Sequence, residues 1–152
     1  MNTTPTIAND SQSASRPAAY QQLAAVGCTI LVVEDEAFVR EATCDILEGE
    51  GYLVLRARDA MEARAAFRRQ HGSVQLLLCD VVLPGQSGPT LANDLRTLRP
   101  ALRIMFISGY DNTPSQDGLA TAHTSYLPKP FSTESLLNKV RQALGLEEKG
   151  SP

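Results

Sequence analysis

Between residues 28 and 146 the chain alternates two kinds of apolar spacing. Thr29, Ile30, Leu31, Val32 and Val33 form an unbroken apolar, β-branched run, as expected of a strand covered on both faces. Val39, Ala42, Thr43, Ile46 and Leu47 then repeat at i, i+3, i+4, i+7 and i+8, one face of a helix, which Gly49 and Gly51 end. A second strand follows over 52–57. Asp59 is placed to cap a helix that turns Ala63, Ala66 and Phe67 inward. A third strand covers 74–79. Pro89 suits the first position of a third helix with Leu91, Leu95 and Leu98 inward, and Pro100 stops it. A fourth strand covers 102–107, a short helix 113–122 and a fifth strand 125–127. Ser132 caps the last helix, Phe131 and Leu136 form a hydrophobic staple around that cap, and Leu137, Val140 and Leu144 carry the stripe to Gly145.

Five strands alternating with five helices predict an α/β fold, a doubly wound parallel sheet with helices on both faces. In that architecture ligands bind beyond the carboxyl ends of the strands. Composition narrows the picture. The 152 residues suffice for one domain. Residues 1–27 are polar and aperiodic, which predicts a disordered tail, with at most a helical turn over 20–26; residues 147–152 read as a short polar tail. A net charge of −3 gives no support to a nucleic-acid-binding surface. No apolar run reaches the ~20 residues of a membrane span and no signal sequence opens the chain. Cys28, Cys44 and Cys79, unpaired in number and spacing, read as reduced thiols, which points to a cytoplasmic protein. The Arg64, Arg68 and Arg69 run reads as a solvated helix face, and His71 and His123 as surface histidines.

The strand ends concentrate the chemistry. Glu34 and Asp35 follow the first strand, Asp80 the third, Ser108 the fourth and Lys129 the fifth. A strand order of 2-1-3-4-5 sets the first and third strands side by side and brings the three carboxylates together. Like charges that close need a cation, and an all-oxygen set favours a hard one such as Mg²⁺. Lys129 adds a mobile positive charge. The set reads as phosphoryl transfer to a carboxylate: Asp80 as nucleophile, Mg²⁺ and Lys129 neutralising the phosphoryl oxygens, and Ser108 donating its hydroxyl once the group has arrived.

Four segments carry a family resemblance: ILVVEDE at 30–36, LLLCDVVLPGQSG at 76–88, IMFISGY at 104–110 and YLPKPF at 126–131. In that order and spacing the chain resembles the receiver domain of bacterial two-component response regulators over residues 28–146. The resemblance implies a flavodoxin-like (βα)5 fold and a phosphoryl group received from a sensor histidine kinase or a histidine phosphotransfer protein. It implies that Asp80 is the phosphoacceptor, that Asp35 holds Mg²⁺ directly and Glu34 through water, and that the backbone carbonyl of Val82 is a further ligand. It implies that Ser108 and Tyr126 are the switch pair, that the peptide bond before Pro130 is cis, and that Pro84 and Gly88 shape the mouth of the site. Glu34 departs from the Asp often found there. The expectation is then a signal passed by protein contact to a downstream target, without nucleic acid or membrane, and a switch rather than an enzyme.

Two other readings compete. A phosphatase working through an aspartyl phosphate wants a second Asp two residues after the nucleophile, where Val82 stands. A docking module that works without phosphorylation does not need the full chemical set kept here. The resemblance covers both free-standing regulators and receivers of hybrid kinases; the N-terminal Met and irregular leader favour the first.

Overall fold

The computed structural model describes residues 27–70, 73–109 and 123–146. The two tails, the turn over 20–26, the helix over 113–122 and His71 lie outside the described residues. Five strands form one parallel sheet: β1 (Thr29–Val33), β2 (Leu53–Ala57), β3 (Leu76–Asp80), β4 (Arg103–Ser108) and β5 (Thr124–Pro128). Their order is β2-β1-β3-β4-β5, the arrangement expected from the sequence. β1 and β3 are buried along their whole length because each is flanked by strands on both sides and helices on both faces.

Alternation along the strands divides the core in two. Leu31, Val33, Leu77, Cys79, Ile104 and Phe106 face one layer, where they meet Ala63, Ala66 and Phe67 of α2 (Ala60–Arg69) and Leu91, Ala92 and Leu95 of α3 (Gly88–Leu98). Ile30, Val32, Leu76, Leu78, Met105 and Ile107 face the other, with Cys44 and Leu47 of α1 (Ala37–Gly49) and Leu136, Val140 and Leu144 of α4 (Thr133–Leu144).

Local signals set the helix ends. Asp59 accepts from the Glu62 amide at 2.8 Å and Ser132 from the Ser135 amide at 3.0 Å. Ser87 caps α3, so the helix starts at Gly88, one residue before the expected Pro89. Phe131 packs on the cluster that holds Leu136, and Gly145 closes α4 in the left-handed region. Two inward assignments are corrected. Ala42 is exposed and Cys44 takes its place on the buried face of α1. Leu98 is 59% exposed: Arg99 breaks into extended backbone, and Leu102 fills the core at that end.

A small antiparallel ladder, Val82–Leu83 against Gln86–Ser87, was not foreseen. Pro84 and Gly85 turn it, Gly85 at φ 77, and it carries the chain from the end of β3 to α3. Among the described residues no helix is long and apolar enough to cross a membrane.

Candidate functional site

The central pair of the sheet, β1 and β3, brings its carboxyl ends together, with Val33 opposite Cys79. The next residues on each side are Glu34 and Asp80. Carboxylate oxygens of Glu34, Asp35 and Asp80 lie within 4.8 Å of one another. Lys129 reaches in from just beyond β5, its Nζ 2.8 Å from Asp80 Oδ2 and 3.4 Å from Glu34 Oε1. The Lys129–Pro130 peptide bond is cis.

The members of the cluster are held differently. Glu34 is 4% exposed. Its Oε2 accepts from the Glu36 amide at 3.0 Å, its own amide donates to the Ala57 carbonyl, and its carbonyl accepts from the Arg40 guanidinium at 2.9 Å. Glu34 is thus fixed at both ends. Asp35 is exposed and faces solvent beside it. Asp80 is fixed through both oxygens: Oδ2 by Lys129 and Oδ1 by the Val82 amide at 3.0 Å. Behind it the chain is tight, because a Cβ on Gly88 would lie 2.2 Å from the Asp80 carbonyl oxygen. Glycine is the residue that lets the start of α3 come this close to the end of β3.

Burial pushes the Glu34 carboxyl above its ordinary range, against the lowering pull of the Glu36 amide and Lys129 and with the Asp80 charge adding to the rise. Burial acts to lower the Lys129 pKa, but the hydrogen bond to Asp80 and the charges of Glu34 and Asp80 outweigh it and hold the ammonium above its usual range. Three carboxylates face one ammonium, which leaves two negative charges for a divalent cation to balance. The donors are all oxygen, with no imidazole or thiolate among them, which suits Mg²⁺ better than a softer metal.

Ser108 ends the strand next to the one that carries Asp80, and Tyr126 lies in β5 opposite Phe106. Ser108 is the buried last residue of β4, one step beyond Ile107, which pairs with Asp80; its carbonyl accepts from the Lys129 amide at 2.8 Å. Tyr126 is half-buried in β5, its ring stacked on Phe106 at 5.6 Å between centroids. Its hydroxyl is enclosed without a hydrogen-bond partner among the described residues. Val82 is 53% exposed and meets the site through its main chain; Pro84 sits at the exposed turn of the hairpin.

The sequence gives no sign of a role for Arg40, and it reads Arg64 as part of a solvated helix face. Arg40 lies one helical turn into α1 and reaches back to the Glu34 carbonyl. Arg64 is not merely part of a solvated face: it bonds Gln86 of the hairpin and pairs with Asp94 of α3.

The model of the response regulator receiver domain matches residues 30–141. The chain is 38% identical over 117 residues to the sensor kinase CckA of Brucella abortus, covering 76% of this chain and 12% of that protein. It is 35% identical to the probable transcriptional regulatory protein TcrX of Mycobacterium tuberculosis and 34% to the aerobic respiration control protein ArcA of Escherichia coli. Each match covers 76% of this chain, and 49% and 48% of those proteins, so the chain spans about half or less of the curated relatives it matches. Among solved structures, the receiver domain of the hybrid histidine kinase CckA superposes with a TM-score of 0.66 at 37% identity, covering 76% of this chain and 98% of that one. A probable response regulator/GGDEF domain protein superposes with a TM-score of 0.74 at 29% identity, covering 86% and 55%.

Proposed function

The chain belongs to the response regulator receiver domain family of two-component signalling, and from that premise we propose that it is a phosphorylation switch in which Asp80 accepts a phosphoryl group from a histidine of a partner protein. The observation that carries the proposal is the Lys129 ammonium, 2.8 Å from Asp80 Oδ2 within a cluster of three carboxylates. A structural ion pair does not need two further carboxylates crowded against it.

In the transfer an Asp80 carboxylate oxygen attacks phosphorus, the P–N bond of the donor phosphohistidine breaks, and the imidazole leaves with the electron pair. Lys129 and the Val82 amide hold the carboxylate before attack, so little orientation is lost on reaction. Asp35, Asp80 and the Val82 carbonyl, with Glu34 acting through water, would hold Mg²⁺, which would supply positive charge against the phosphoryl oxygens. Lys129 is the chain's own contribution to the same end. Ser108 takes up a phosphoryl oxygen with its hydroxyl, and Tyr126 follows it inward. A phenol hydroxyl enclosed without a partner among the described residues gives up no hydrogen bond to them by moving, which favours that role.

We read residues 28–146 as the receiver unit between two tails, working in the cytoplasm with a histidine kinase or histidine phosphotransfer protein upstream and a protein target downstream. Val82 stands where a phosphatase of this chemistry would need its second carboxylate, so the proposal is a switch and not a turnover enzyme. Incubation with Mg²⁺ and acetyl phosphate should add the mass of one phosphoryl group to the wild type and none to Asp80→Asn. A wild type that stays unmodified at saturating Mg²⁺ refutes the proposal.

A further inference from the structure

The hairpin from Val82 to Ser87 is a wall of the site that cannot support itself. Each strand has two residues, and an isolated two-stranded hairpin is marginal in water even when longer. Its near end is tied by the Val82 amide to Asp80 Oδ1 and by the Gly88 amide to the Val81 carbonyl at 2.7 Å. Its far strand is tied to two helices. Arg64 of α2 donates through Nη2 to Gln86 Oε1 at 2.9 Å and pairs with Asp94 of α3, and Gln86 Nε2 reaches Asp94 Oδ2 at 3.4 Å. These three side chains close a ring across α2, the hairpin and α3. Gln86 pairs with Leu83, and Leu83 is buried in the core, so motion of Gln86 passes directly to the strand that begins at Val82.

We propose that Arg64, Gln86 and Asp94 form a latch that positions the Val82 main chain against Asp80, and so sets how well the site accepts Mg²⁺. The proposal rests on the switch reading for its consequence and on the hydrogen bonds for its geometry. Arg64 is a positioning residue: it reaches Asp80 only through Gln86, Leu83 and Val82. The Arg64 hydrogen bond holds the Asp94 carboxyl below its ordinary range, as a working pair should. Arg64 is part-buried and no member of the core cluster beneath, so its loss should free the hairpin and leave that core closed.

The test uses the full chain and the variants Arg64→Met, Arg64→Lys and Gln86→Ala. Amide hydrogen exchange is followed by NMR without metal, and Mg²⁺ alone is then titrated. In Arg64→Met and Gln86→Ala the Val82 amide should exchange about tenfold faster, in line with losing one hydrogen bond to a charged group. The amides of β1 should hold their wild-type rates, and Mg²⁺ affinity should fall several-fold. Arg64→Lys keeps one charged nitrogen, as Nη2 alone makes both contacts, but sets it on a more flexible stem, and should fall between. Wild-type Val82 exchange and Mg²⁺ affinity in Arg64→Met would overturn the latch. So would equal acceleration of Val82 and β1, which marks only a loss of global stability. A wild type that gains no phosphoryl group strikes at the switch reading and leaves the exchange result to decide the latch.

Discussion

Single residues at this site trade stability for charge. The Glu34 carboxyl is raised by burial, so between the unfolded value, about 4.3, and its folded value the native state holds more protons than the unfolded one. Stability therefore falls as pH rises through that window and stays reduced above it. Glu34→Gln should raise Tm at pH 7 in metal-free buffer and flatten the fall in stability that sets in above the ordinary carboxylate range, measured by thermal melts across pH. Lys129→Met removes the ammonium that pairs with Asp80 and should slow phosphorylation by acetyl phosphate about 10²–10³-fold, the cost of losing one preorganised charge stabiliser, followed by initial rates. Gly88→Ala forces a Cβ into the Asp80 carbonyl and should cost about 3 kcal/mol in urea unfolding, the upper end for overpacking. Glu34, Asp35 and Asp80 were legible as a group because they stand at the ends of β1 and β3, whose apolar runs are unbroken, and Lys129 because it follows the short run before Pro130. Arg40 and Arg64 were not, because their partners are a main-chain carbonyl and a side chain 30 residues away, which no local pattern announces.

At the scale of elements, legibility followed the strength of the local rule. Asp59 and Ser132 were readable as caps because a side chain bonding its own first turn is a sequence-local event. Ser132→Ala should lower stability by about 1 kcal/mol with little effect on phosphorylation rate, by denaturant titration and the same rate assay. The inward place of Leu98 was misjudged because periodicity continues on paper after the helix stops; Arg99 ends it and Leu102 enters the core instead. The hairpin after β3 escaped notice since strands of two residues carry no period at all. Its existence shows in the Pro84–Gly85 pair only once the partners are known.

At the scale of the whole molecule, the central strands β1 and β3 are sealed on both faces, and the thiols report the seal. Burial pushes Cys44 up to about 11 and raises Cys79 further, while Cys28 is half-buried and raised less. Native protein at pH 8 should alkylate slowly, Cys28 first, with Cys44 and Cys79 reacting only on unfolding; mass-mapped alkylation with and without urea checks this. The sheet order was legible because buried parallel strands leave few topologies. The order also has a mechanical consequence. β1 begins at Thr29, near the start of the described chain, yet it lies inside the sheet with parallel ladders to β2 and β3 on either side. α4, at the other end, lies against one face through side chains. A pulling force entering from the N-terminal side must shear two ladders at once, whereas one entering from the C-terminal side can peel a helix away turn by turn. A processive unfolding machine should therefore dismantle this fold faster when it grips the C-terminal end.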